Sequence, residues 1–202
     1  RKLQELMNVF RPSTACIAPL VRASLFLGTS ILASLPMAAV YPLIGFDLIY
    51  FLPRLADAAL YMQRNGFSVQ WWSPTFGGGL PVFANPQDLQ LSLPQFFTLF
   101  TNPFIAICIS YSVVTLASCY ALHRLARRVL DWDESSACLL AVVGSTGGFL
   151  TLRMIVGHAS YHGFALTPVL LLLAMDRRIR PRIGVPLAGL VATYFVYSGG
   201  YF

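Results

Sequence analysis

Four ionisable side chains stand where apolar sequence gives way to polar sequence: Asp47, Arg153, His158 and His162. Asp47 follows directly on the first apolar run. A carboxylate there serves either as a helix-end or turn residue, or as a general base for an attacking hydroxyl. Arg153 lies within TLRMIVGH, inside an apolar run. Charges in such runs are costly and usually partnered. The side chain either snorkels to lipid phosphates or grips a phosphate group through its planar fork of donors. His158 and His162 form HASYH, an i, i+4 pair if that turn is helical. Zinc sites use this spacing but need further ligands, and no HExxH signature is present. Interfacial hydrogen bonding is the plain reading of the pair, contact with a phosphate or acceptor the next, and metal ligation the last.

Trp71 and Trp72, with Tyr61, Phe67, Phe76 and Phe83, form an aromatic segment. Aromatic rings anchor proteins at membrane interfaces by default, and the same ring faces stack on sugars. Gly77-Gly78-Gly79 leads into Leu80-Pro81 rather than GK[ST], so it is a turn and not a nucleotide cradle.

Composition decides what must position these groups. The chain is 56% hydrophobic and 11% charged, with mean hydropathy +0.66. Soluble domains carry about 25% charged residues. The expected fold class is therefore all-α, a polytopic transmembrane helix bundle with about five visible spans. Span one starts near Ala15 or Val21 and runs to about Gly45, with Pro36 and Pro42 expected to kink or end it. Span two covers Pro103 to about His123, span three Ala137 to about Val156, and span four about Ser160 to Met175. A fifth span begins near Ile183. Gly144, Gly147 and Gly148 permit close helix approach in span three. Between spans one and two, residues 46–102 form a large loop of amphipathic helices. The whole of 1–202 reads as a single transmembrane domain, and a run ending at Phe202 inside apolar sequence makes a longer parent protein the expectation.

The net charge of +6 is distributed as a topology signal. Arg1, Lys2, Arg11, Arg124, Arg127, Arg128, Arg177, Arg178, Arg180 and Arg182 alternate with segments poor in cations, and loop 46–102 holds only Arg54 and Arg64. The N-terminus is thus expected in the cytoplasm and the loop outside, with no nucleic-acid partner. Arg1 to Arg11 fits an interfacial amphipathic helix or an ordinary lead-in. Cys16, Cys108, Cys119 and Cys138 sit in or beside spans, outside any oxidising loop, and read as small packing residues.

With these elements in order, a resemblance emerges. Asp47 after span one, followed by Gly66, Trp71 or Trp72, Pro74, Gly77 to Gly79 and Pro81, resembles the bacterial, polyprenyl-phosphate-sugar-dependent branch of the GT-C membrane glycosyltransferases. Leu93-Pro94 and Gly157-His158 extend the likeness over about residues 40 to 175. It implies an inverting transferase with a lipid-linked sugar donor and Asp47 as base. Arg153, His158 and His162 would meet the donor phosphate, while Trp71, Trp72, Gln87 and Asp88 would face sugar or acceptor. No cofactor is implied with certainty, and a divalent metal is possible but unsupported. Expected partners are membrane lipid, the polyprenyl-phosphate sugar and other membrane subunits. The expected location is the bacterial inner membrane. A non-catalytic subunit or scaffold keeping the same fold is the alternative.

Overall fold

The computed structural model describes residues 14–40, 47–83, 85 and 88–198. The lead-in at 1–11, Pro42, Gln87 and the last residues before Phe202 lie outside the described set, as does the Cys16 side chain. The helices are α1 Thr14–Val40, α2 Leu48–Asn65, α3 Leu93–Thr98, α4 Pro103–Arg128, α5 Glu134–Ser145, α6 Gly148–Val156, α7 Thr167–Met175 and α8 Pro181–Tyr197. A 3₁₀ segment, Ala159–Leu166, joins α6 to α7.

Three stretches are long and apolar enough to cross a membrane: Ala18–Ala39, Pro103–Arg128 and Glu134–Val156. α1 runs through Pro36 without ending there. Its Thr29, Ser30 and Ser34 hydroxyls donate to carbonyls of the preceding turn at 2.8 Å each, so they leave no unpaired polar group. The third stretch is broken at Thr146-Gly147, between α5 and α6. The anticipated fourth span is not one α-helix but the 3₁₀ segment followed by short α7. Leu20, Leu32, Val185 and Leu190 are among many large apolar side chains left exposed on α1 and α8. Such faces suit hydrocarbon rather than water.

α4 is the axis. It packs against α1, α3, α5, α7 and the 3₁₀ segment. Asn102 caps it through a 2.9 Å bond from the Ile105 amide, with Pro103 in the first turn. Asp133 likewise caps α5 by accepting from the Ser135 and Ser136 amides. A Cβ on Gly144 would come within 2.8 Å of Leu122 Cδ1, so glycine there does permit the close α4–α5 approach. Cys108, Cys119 and Cys138 are free thiols, and Cys119 Sγ lies 2.9 Å from Ser145 Oγ across that same seam.

Residues 47–102 hold α2, α3 and a small antiparallel ribbon. β1 (Trp72–Ser73) pairs with β2 (Leu80–Pro81). α2 buries one face, Leu48, Phe51, Leu55, Ala58, Ala59 and Met62, at helical spacing. That face meets Ile107, Tyr111 and Val114 of α4, Met154 of α6, and Ala159 and Ala165 of the 3₁₀ segment. The loop is thereby seated on the same end of the bundle that carries the α6–3₁₀ junction.

Candidate active site

Two chain segments far apart in sequence meet at Gly157. α6 ends there because Gly157 takes φ +96°, a left-handed conformation that closes a helix, and its N–H reaches back to the carbonyls of Arg153 and Met154. A Cβ at this position would stand 2.6 Å from the Leu48 amide nitrogen and 3.3 Å from the Asp47 carbonyl carbon. Only glycine lets the start of α2 lie directly on the end of α6. That contact sets Asp47 beside His158.

The side chains then form a chain of three. Asp47 Oδ2 is 2.6 Å from His158 Nε2, and His158 Nδ1 is 3.2 Å from Arg153 Nη1. A guanidinium can only donate, so Nδ1 accepts and the ring proton sits on Nε2, donating to the carboxylate. Arg153 thus sets the tautomer that His158 offers to Asp47. The main chain reinforces the link, since the His158 amide donates to the Arg153 carbonyl at 2.9 Å. Asp47 occupies the N-cap position of α2 but does not use its carboxylate as a cap. Its side chain is 46% exposed, against 23% for His158, so the carboxylate remains open to solvent or substrate.

Aromatic rings hold the cationic end. The Arg153 guanidinium lies 5.0 Å from the Tyr161 ring centre and 5.3 Å from that of Phe149, within cation–π range. His158 stacks on Tyr161 at 5.5 Å, and Tyr161 on Phe164 at 5.2 Å. Phe149 and Tyr161 were not among the anticipated site residues. Phe149 had a signal in its i, i+4 spacing to Arg153, whereas Tyr161 reaches the site only through the 3₁₀ turn.

His162 has a different place. With about three residues per 3₁₀ turn, positions four apart do not share a face, so the anticipated pairing with His158 does not form. The ring is fully buried. Nδ1 donates to the Ala159 carbonyl at 2.7 Å, and Nε2 accepts from the Tyr194 hydroxyl, which itself accepts the Leu93 amide. Both nitrogens are in use.

Trp71, Trp72 and Asp88, also anticipated, find partners within residues 47–102. Trp71 packs edge-on against Phe83 at 4.5 Å. The Trp72 indole lies over Gly79, where an added Cβ would be 2.6 Å from it. Gly77, Gly78 and Gly79 all have positive φ, which confirms the turn. Asp88 is buried and ion-paired with Arg54, whose guanidinium covers the Tyr50 ring at 3.8 Å. Burial pushes the Asp88 carboxyl above the usual range, with Arg54 opposing the shift. Asp57 ties the ribbon to α2 by accepting from Gln70, Ser73 and Thr75 at 2.7–3.0 Å. Burial raises its carboxyl, but those three donors outweigh it and hold it below the ordinary value.

Among the described residues, one group has metal-ligand chemistry: His123, Glu134 and Cys138, with ligand atoms within 4.8 Å of one another. It lies at the other end of α4. Glu134 is already engaged there by Arg22 at 2.6 Å and Arg127 at 3.4 Å, so two cations crowd the position a metal would take. No family model, curated protein or solved structure matches this chain.

Proposed function

We propose that the chain is the membrane domain of an inverting glycosyltransferase of the GT-C type. It moves a sugar from a polyprenyl-phosphate-linked donor to an acceptor hydroxyl at the outer face of a bacterial inner membrane. The membrane is crossed five times, by α1, α4, α5–α6, the 3₁₀ segment with α7, and α8. The N-terminus is cytoplasmic and residues 46–102 lie outside. The arginine distribution supports this orientation: Arg128 at the end of α4 is 2.9 Å from Asp176 at the end of α7, on the arginine-rich side.

The observation that carries the reading is the Asp47–His158–Arg153 chain. In the reaction, the acceptor oxygen attacks the anomeric carbon as its bond to the donor phosphate breaks. The hydroxyl proton passes to the Asp47 carboxylate, and polyprenyl phosphate leaves with the bonding electrons. Arg153 spends one N–H on His158 and keeps others for that phosphate, where charge builds up as the bond breaks. His158 touches neither reacting atom. It spaces the base from the phosphate-binding cation and keeps both in register.

The test is sugar transfer in membranes containing the protein, supplied with a polyprenyl-phosphate sugar. Asp47→Asn is expected to lower turnover by a hundredfold to ten-thousandfold, on the order general-base removal costs. Arg153→Ala should lower it as well. Parental turnover in both variants would reject the assignment.

A further inference from the structure

The opposite end of the bundle has a site of its own. Where α4 and α7 end together, a cavity of about 580 Å³ is lined by Arg128, Arg177, Arg178 and Asp176, with Ala174 and Met175 as its floor. Three arginines and one aspartate line it, so the cavity is cationic. Asp176 is consumed in building it. Its side chain is 2% exposed, accepts from Arg128 at 2.9 Å and takes the Arg178 amide at 3.0 Å. No hydrogen bond or ion pair occupies the Arg177 or Arg178 guanidinium among the described residues.

A second hollow, of about 470 Å³, shares Ala174, Asp176 and Arg177 with the first and continues along the α7–α8 seam past Leu173, Val185 and Ala188. Gly184 keeps the seam narrow-walled, with a Cβ there coming within 3.1 Å of Ile179 Cγ2. One end of the combined space is thus built for an anion and the other for hydrocarbon. Free phosphate would use the first half only.

We propose that this bipartite site binds an anionic membrane phospholipid. Its phosphate is held by Arg177 and Arg178, and an acyl chain lies along the α7–α8 seam. Basic pockets between helices at a membrane surface recognise such headgroups, and guanidinium forks suit phosphate oxygens. The inference rests on the membrane reading but not on the sugar-transfer chemistry, so its test is a binding measurement.

The protein in neutral-detergent micelles is titrated with phosphatidylglycerol, phosphatidylcholine or inorganic phosphate, with bound lipid counted by native mass spectrometry and stability followed by melting. Phosphatidylglycerol is expected to bind and raise the melting temperature, and the other two are expected to do neither. Arg177→Gln with Arg178→Gln should weaken binding about 25-fold, from the roughly fivefold each surface cation contributes. Ala188→Phe, which fills the seam and leaves the charges, should weaken phosphatidylglycerol as well. Equal binding of phosphatidylcholine, an equal effect of inorganic phosphate, or full affinity in the double variant would each overturn the proposal.

Discussion

Replacing Gly157 by alanine tests the contact on which the candidate site depends. The added Cβ would stand 2.6 Å from the Leu48 nitrogen, whereas comfortable non-bonded separations begin near 3.5 Å. The start of α2 would have to retreat by about 1 Å. Leu48 and Phe51 are buried against Ile107 and Tyr111, so α2 cannot tilt away freely, and the shift falls on Asp47. The φ of +96° adds strain of about 1–2 kcal/mol for any residue with a Cβ. Misplacing a reacting group by about 1 Å costs on the order of a hundredfold in rate. On the proposed transferase reading, Gly157→Ala should therefore reduce sugar transfer about a hundredfold while melting falls only modestly. Gly148→Ala is the matched control, because a Cβ there meets nothing within 4 Å and φ is not positive. Initial rates in membranes, with melting curves on the purified protein, separate the two effects. A parental rate in Gly157→Ala, or an equal loss in Gly148→Ala, would refute the reasoning.

Three further outcomes are expected. Asp57 has its proton affinity lowered in the folded loop, so its contribution is present above the unfolded carboxyl value of about 4 and is lost as pH falls through the lower folded value. The fluorescence of Trp71 and Trp72 should report ribbon opening only at strongly acidic pH, and Asp57→Asn should cost about 1.5 kcal/mol at neutral pH and abolish that acid dependence. Arg54→Met leaves the buried Asp88 carboxylate without its cation and should destabilise by about 3 kcal/mol in denaturant titrations, with much of the loss recovered by adding Asp88→Leu. Gly79→Ala should drive the Trp72 indole off its seat; in a Trp71→Phe, Trp132→Phe background the emission is expected to shift to the red, and an unchanged spectrum would count against the observed packing.

The apolar lengths of α1 and α4, the amphipathic face of α2 and the glycine turn at 77–79 were legible because each is written in a local period or a local backbone demand. The meeting of Asp47 with Arg153 through His158 was legible only as a shared position where apolar sequence gives way to polar. Its geometry depends on Gly157, whose clash partner lies more than a hundred positions away. The ribbon was hidden because strands of two residues carry no alternation to read. Asp57 gave no signal either, since its partners stand 13 to 18 positions on and are ordinary polar residues. ASYHGFAL is apolar on nearly every side, so nothing in its pattern distinguishes a 3₁₀ turn from an α-helix.

That 3₁₀ segment explains why two histidines so near in sequence have separate work. Polar side chains that a fold buries need hydrogen-bond partners inside the protein. Ala159, Ser160, His162, Gly163 and Ala165 are all buried, and His162 supplies the pairing: one nitrogen for the Ala159 carbonyl, the other for Tyr194 on α8. Tyr194 in turn accepts the Leu93 amide at the head of α3. His162 therefore fastens the segment to α8 and, through Tyr194, to the head of α3. With the segment fixed from behind, Tyr161 is held where it can stack on His158 and face Arg153. The 3₁₀ turn bonds its own backbone i to i+3, so what His162 adds is a side-chain tie to its neighbours. The buried histidine fixes the segment that carries Tyr161, and Tyr161 stacks on the half-buried histidine that joins carboxylate and guanidinium.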